Sequence, residues 1–265
     1  MNQLRGKSIW ITGASSGIGE ALAYAFAAEG CSLILSSRRE DELLRVKKNC
    51  KLSEETILIL PFDLADTSKI NELAKKAIEK LGRIDMLVNN GGVSQRSYTN
   101  ETPLENDRKI MEINFFGTVA VTKSVLPYML KQQNGHIIVM SSVAGKFGFY
   151  LRSAYSAAKH ALHGFFESLR MEVYNDNIKV LIVCPGKVRT NISLNALTPT
   201  GTHGKMDKSQ EQGVSVEDCA AQIISAIKSN KQEIYIGDLK GRLALFVKRI
   251  FPTVFSKIIR KQEIE

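Results

Sequence analysis

Ile9-Trp10-Ile11-Thr12-Gly13-Ala14-Ser15-Ser16-Gly17-Ile18-Gly19 is an apolar run followed by a glycine-rich turn, and Glu20-Ala21-Leu22-Ala23-Tyr24-Ala25-Phe26-Ala27 continues it with helix-forming residues. The segment reads as strand, tight loop, helix. Gly13 permits the turn, Gly17 lets backbone approach a pyrophosphate, and Gly19 lets the helix pack close to the strand. Backbone N–H groups at the helix start then face an anion, which the helix dipole also favours. The spacing Gly-x-x-x-Gly-x-Gly differs from the more widespread Gly-x-Gly-x-x-Gly. On the glycines alone, an ordinary strand–helix turn remains open.

The same alternation continues along the chain. Apolar runs predict strands over 8–12, 32–36, 56–60, 86–89, 136–141, 179–184 and 233–236. Helices are predicted over 17–29, 40–50, 67–81, 104–130, 153–174 and 216–229. Continuous apolar strands with intervening helices imply a parallel sheet covered on both faces. The expected fold is therefore α/β: one doubly wound Rossmann-type domain over 1–239, with a seven-stranded parallel sheet and an amphipathic helical tail over 240–265. In such sheets a ligand binds beyond the carboxyl ends of the strands, where the strand order reverses. Gly13, Asn89, Ser142 and Pro185 all follow on predicted strands or end them, so they would meet at that edge.

A second cluster is Tyr155-Ser156-Ala157-Ala158-Lys159, thirteen residues beyond Ser142. Residues four apart on a helix share a face, so phenol and ammonium can converge. A lysine charge ~5 Å away, at an effective dielectric of ~20, favours a phenolate by about 3 kcal/mol, roughly two pKa units. On that reading Lys159 makes Tyr155 an acid–base group usable near neutral pH.

These two clusters, with Asn89-Asn90-Gly91-Gly92 and Pro185-Gly186, resemble the short-chain dehydrogenase/reductase family from Gly6 to about Gly237. Gly91 departs from the alanine that the family usually carries in Asn-Asn-Ala-Gly. The resemblance implies an NADP- or NAD-dependent oxidoreductase with a catalytic group of Asn114, Ser142, Tyr155 and Lys159. Tyr155 would protonate a developing alkoxide, a contribution of about 10²–10⁴-fold, and Ser142 would hydrogen-bond the carbonyl oxygen. Lys159 would also hold the nicotinamide ribose, and Asn114 would prop a water chain to it. Ser141 is the rival to Ser142, which is preferred because the family's serine is normally the second of the pair. Cofactor contacts are implied for Gly13, Ser15, Ser16, Gly17, Ile18 and Gly19, for Asp63 and Leu64 beside the adenine, and for Asn90, Gly91, Tyr155 and Lys159. Pro185, Gly186, Val188 and Thr190 would hold the carboxamide.

The end of the second strand, Leu33-Ile34-Leu35-Ser36-Ser37-Arg38-Arg39, bears on cofactor choice. NAD enzymes usually place an acidic residue there for the ribose 2′-OH. Here Ser37 stands in that position and two arginines follow. A guanidinium pairs with a 2′-phosphate through charge-assisted bonds, so NADP(H) is expected, with Arg38 as first contact and Arg39 as second.

The chain has 265 residues, a net charge of +9 and 44% hydrophobic residues. Cys31, Cys50, Cys184 and Cys219 have no metal spacing and read as reduced structural thiols. His136, His160, His163 and His203 form no metal spacing either, so no metal is expected. The first strand begins within ten residues and no apolar run reaches membrane-spanning length. The expectation is a cytoplasmic protein. The tail from 240 to 265 carries seven Lys/Arg and two Glu, +5 of the chain's +9, with Leu243, Phe246, Val247, Ile250, Phe251, Val254, Phe255, Ile258 and Ile259 at helical spacing. Pro252 divides it into two helices. Its apolar face suits an anionic membrane, the substrate pocket or another subunit, and periodicity alone leaves all three open. Nucleic acid is not expected.

Tail and substrate loop together are similar to the member-seven group of dehydrogenase/reductases, relatives of steroid- and retinoid-active enzymes, although vertebrate members tend to carry an N-terminal anchor. Leu194, Leu197 and Met206, in the loop at about 190–215, are the expected apolar contacts for a small hydrophobic carbonyl or alcohol substrate. The family favours homodimers and homotetramers. Two other readings stay open: a 3-oxoacyl-thioester reductase acting on a carrier protein, and a non-catalytic NADP(H)-binding regulatory protein.

Overall fold

The computed structural model describes residues 4–201, 204–205 and 208–261. Seven parallel strands form one sheet in the order β3-β2-β1-β4-β5-β6-β7. These are β1 (Ser8–Thr12), β2 (Ser32–Ser36), β3 (Ile57–Ile59), β4 (Met86–Asn89), β5 (Gly135–Met140), β6 (Ile178–Pro185) and β7 (Glu233–Ile236). The order reverses between β1 and β4, which opens a crevice at the carboxyl ends of those two strands.

Side-chain alternation along the strands builds two cores. On one face Ile9, Ile11, Leu33, Leu35, Val88, Ile138, Leu181 and Val183 pack with residues of α1 (Gly17–Ala28), α2 (Glu40–Asn49) and α8 (Val216–Lys228). On the other, Trp10, Ile34, Leu87, Ile137, Val139, Val180 and Ile182 pack with α3 (Ile70–Leu81), α5 (Gly117–Gln132) and α6 (Ser153–Glu172). Each fully buried aliphatic side chain contributes about 1.5–3 kcal/mol. Trp10 is core, as its strand position predicts, and its indole N–H donates to Ser36 Oγ at 2.9 Å.

Three predicted elements differ. The helix predicted over 104–130 is broken into α4 (Leu104–Met111), a π-helical turn (Glu112–Phe116) and α5. Gly117 N–H reaches back five residues to the Glu112 carbonyl, and the Thr118 hydroxyl takes up the Asn114 carbonyl at 3.1 Å. The strand predicted over 56–60 shortens to Ile57–Ile59, because a 3-10 turn (Glu54–Thr56) precedes it and Thr56 Oγ1 donates to the Ser53 carbonyl. The helix predicted from 67 starts at Ile70, since Asp63 and Asp66 fold the preceding segment into turns by accepting from Ala65 N and Ser68 N. Pro252 divides the tail as expected, into α9 (Leu239–Ile250) and α10 (Pro252–Ile259). The four-residue α7 (Lys208–Glu211) lies within the substrate loop.

Candidate active site

Thr12, Asn89, Met140 and Pro185 end β1, β4, β5 and β6, and the loops that follow enclose an open cleft of about 430 Å³. That size suits a small-molecule or cofactor site. Its floor is the glycine loop locked against the Asn90 turn. Asn90 Nδ2 donates to the Thr12 and Gly13 carbonyls at 3.1 Å, while Thr12 Oγ1 accepts from Asn90 N and Gly91 N. A side chain has no room at Gly13, where a Cβ would lie 2.7 Å from Gly91 Cα, nor at Gly19, where it would meet the Gly13 carbonyl. Gly13 and Gly17 also have positive φ, 64° and 59°.

The loop is built to receive an anion. Ser16 precedes α1 without a side-chain bond to its first turn, so those N–H groups stay directed at the cleft. Glu20, the acid in that turn, is held by Arg45 at 2.7 Å, and this pairing keeps its carboxyl below the usual range. Arg39 Nη2 lies 3.1 Å from Ser15 Oγ and 3.4 Å from Ser16 Oγ, over the same loop. Arg38 leans the other way, 4.0 Å from Asp63 Oδ2, with its side chain 62% exposed. Both arginines line the cleft, as do Ser37, Asp63 and Leu64.

At the other end of the cleft stand Ser142, Tyr155 and Lys159. Ser142 follows β5, caps a 3-10 turn by accepting from Ala144 N at 3.1 Å, donates to the Pro185 carbonyl at 3.4 Å, and lies close enough to Tyr155 to lower its pKa. Ser141 also lines the cleft but is buried, bonded to His163 Nε2 at 3.0 Å and donating to the Lys159 carbonyl at 3.2 Å. His163 Nδ1 faces Glu167 and Glu233, and Glu233 is paired with Lys146 at 2.7 Å.

One electrostatic expectation is corrected. Lys159 Nζ lies 5.7 Å from the Tyr155 ring centroid and donates to the Met140 carbonyl at 2.7 Å. Burial raises the Tyr155 pKa above its ordinary value, against smaller opposing effects of the Ser142 hydrogen bond and the Arg152 charge. Burial also pulls Lys159 down to about 8. Shared helix face does bring the two side chains together. The loss of hydration that accompanies this sets the direction of both shifts.

Asn114 is fully buried, and both ends of its amide are taken by the backbone of Val93: Nδ2 donates to the carbonyl at 2.9 Å and Oδ1 accepts from N–H at 2.8 Å. Its side chain thus holds the turn from Asn90 to Val93. Val188 and Thr190 line the cleft after Pro185 and Gly186. Leu197 packs against the apolar cluster around Tyr155 and Ala144 and Leu194 is 37% exposed, and neither of these two expected substrate contacts lines the cleft. Met206 lies outside the described residues.

Two polar residues escape the sequence reading. Gln95, fully buried, accepts from Ala154 N at 2.9 Å and Tyr155 N at 3.4 Å, and so caps the helix that carries the catalytic candidates. Gln210 bridges the Val188 carbonyl and Thr190 Oγ1, each at 3.1 Å, and closes the loop over the cleft. A lone glutamine carries no motif, so neither had a signal to find it by. The four cysteines are buried, and burial raises their thiols to about 11 for Cys50 and about 12 for Cys31, Cys184 and Cys219.

Comparison with known proteins agrees with this geometry. The family model described as short chain dehydrogenase matches residues 7–201. A dehydrogenase/reductase SDR family protein 7-like of Anopheles gambiae is 44% identical over 265 residues, covering 98% of this chain and 84% of that one. The human dehydrogenase/reductase SDR family member 7 is 41% identical over 252 residues, 92% of this chain and 74% of its own. A short-chain dehydrogenase structure from Streptomyces avermitilis superposes with a TM-score of 0.79 at 30% identity, covering 97% of this chain and 98% of that one. With the seven-stranded fold and the loop–serine–tyrosine–lysine cleft in place, these matches establish that the chain belongs to the short-chain dehydrogenase family of oxidoreductases.

Proposed function

We propose that this protein transfers hydride between NADP(H) and a hydrophobic ketone or aldehyde, or the corresponding secondary alcohol, with Tyr155 as the general acid and base. The observation that carries the reading is one cleft with an anion-ready glycine loop and two arginines at one end and Ser142, Tyr155 and Lys159 at the other. The first end fits a phosphorylated dinucleotide. Gly13, Gly17 and Gly19 leave space for its backbone approach, and Arg38 and Arg39, which line the cleft, would supply the cations that a 2′-phosphate needs.

The nicotinamide ring supplies the hydride chemistry when bound. The chain's own residues do the rest. Tyr155, its pKa raised by burial, remains a neutral phenol at pH 7 and is ready to give its proton to a forming alkoxide. Ser142 offers a hydroxyl to the same oxygen as charge develops there. Lys159, with a pKa of about 8, is mostly protonated at neutral pH and keeps a positive field beneath the site. Asn114 and Gln95 fix the turn and the helix that aim these groups.

The test is NADPH and NADH oxidation across hydrophobic ketones, aldehydes and carrier-bound 3-oxoacyl esters, comparing wild type with Tyr155→Phe. Turnover that prefers NADPH and falls at least about 10²-fold in the variant is expected. Turnover on the carrier-bound esters alone, or dinucleotide binding without turnover anywhere on the panel, would overturn the proposal.

A further inference from the structure

We infer that α9 and α10 form a docking surface for an anionic lipid bilayer. Along α9, Leu239, Leu243, Phe246 and Ile250 are spaced by four, three and four residues, which sets them in one stripe at the helical repeat. Phe251, Val254 and Ile258 continue the apolar surface into α10. All seven side chains are between 50% and 81% exposed. So large a set of apolar groups kept in water is costly and marks an interaction surface.

Charge selects the occupant. From 239 to 261 there are seven cations (Lys240, Arg242, Lys248, Arg249, Lys257, Arg260, Lys261) and no Asp or Glu. At 100° per residue, Lys240 flanks the α9 stripe on one side and Arg242 and Arg249 on the other. Long basic side chains can then reach headgroups while the stripe enters the acyl boundary. A second copy related by a two-fold axis would bring the same seven cations against their own image, which opposes association. No residue from 239 to 261 lines the cleft, so the stripe does not serve as its wall.

The tail is anchored to the rest of the molecule through Phe255. Phe255 is buried and packs on Phe147 with ring centroids 4.7 Å apart, and Phe147 meets Phe149 at 4.8 Å. Phe149 in turn packs against the cluster containing Tyr155 and Ala144. Asp238 caps α9 by accepting from Gly241 N at 2.8 Å. The inward face thus joins the tail to the active-site side of the molecule and leaves the stripe outward. No described helix is long and apolar enough to cross a membrane, so contact lies in the interface. The inference does not rest on the proposed activity.

The experiment is co-sedimentation of the full chain with vesicles of phosphatidylcholine alone and of phosphatidylcholine with one-third phosphatidylserine. Oligomeric state is measured in parallel by sedimentation equilibrium. Binding should be at least about tenfold stronger to the anionic vesicles and should weaken as salt rises. Leu243→Asp with Phe246→Asp, and separately Lys240→Glu with Arg249→Glu, should each lower it by at least about tenfold while the circular dichroism spectrum and the assembly size stay as in the wild type. Failure to bind, equal binding to neutral vesicles, or binding that survives the Asp pair would overturn the inference. A fall in assembly size on introducing the Asp pair would overturn it in favour of a second copy.

Discussion

Lys159 Nζ donates to the carbonyl oxygen of Met140 at 2.7 Å, so the ammonium of α6 is tied to the last residue of β5, immediately before the Ser141-Ser142 pair. Lysine in an unfolded chain titrates near 10.5 and here near 8. Below pH 8 both states carry the charge and the folded protein bears the whole burial penalty, about 3 kcal/mol. As pH rises from 8 to 10.5 the folded form has released a proton that the unfolded form still holds, and the penalty fades. Lys159→Met should therefore stabilise the protein by about 1–3 kcal/mol at pH 7 in urea denaturation while abolishing turnover, and the gain should shrink above pH 8. A less stable variant at pH 7 would contradict this.

His136 gives the opposite end of the pH scale. Burial, aided by the Lys179 charge, lowers its pKa from 6.5 to about 4, and its Nε2 has no hydrogen-bond partner. The unfolded chain takes up a proton below pH 6.5 that the folded chain refuses until about 4. Stability is thus lost as pH falls through that window, by up to about 3 kcal/mol. His136→Leu should flatten the acid limb of a stability–pH curve between 6.5 and 4. An unchanged slope would assign the acid loss to other groups.

Gln95 is predicted to act as a positioning residue. Gln95→Ala leaves the Ala154 and Tyr155 N–H groups buried without their acceptor, at a cost of about 1–3 kcal/mol. Because Tyr155 sits on that turn, kcat should fall while KM for the dinucleotide changes little. Gln95→Glu, which keeps the acceptor oxygen, should restore most of kcat. Equal losses in both variants would mean a purely structural role.

Arg38 and Arg39 divide the cation between two directions, Arg39 over Ser15 and Arg38 toward Asp63. If both serve a 2′-phosphate, Arg39→Ala should raise KM for NADPH by about tenfold or more and leave NADH nearly untouched. Arg38→Ala should act in the same sense. Equal loss for both dinucleotides would point instead to support of the loop.

Gly91 has a steric reason. A Cβ there would fall 2.5 Å from Leu64 Cδ1, so leucine already fills the space of an alanine methyl. Gly91→Ala should cost about 1–3 kcal/mol as an overpacked site. Leu64→Val in the same chain should recover part of it, which thermal unfolding of the four members of the cycle will show.

Much of this was legible in the sequence. The seven parallel strands and the meeting of Gly13, Asn89, Ser142 and Pro185 at one edge follow from patterning, because apolar runs and glycine spacing are local signals. Both Ser141 and Ser142 line the cleft, and Ser141 is bonded to His163. What could not be read is tertiary. The Tyr155 pKa depends on how much water both partners lose, which spacing does not encode. Gln95 acts through a backbone N–H 59 residues away, and Gln210 through a carbonyl 22 residues away and a hydroxyl 20 residues away. The break within 104–130 leaves helix-forming residues on both sides and no proline or glycine at its centre.

That break has a consequence for the gene as well as the fold. A π-helical turn holds one more residue than the α-helical turn it replaces, so the segment Glu112–Phe116 behaves as a single-residue insertion retained within a helix. Deleting any one codon there would let α4 and α5 merge into an uninterrupted α-helix. The flanking helices would keep their facing, because the π turn already absorbs the extra residue, but the bulge that sets Asn114 against Val93 would be lost. Substitutions in this stretch alter one side chain each, but a lost codon would remove the turn that aims Asn114 while leaving the register of α4 and α5 as it was.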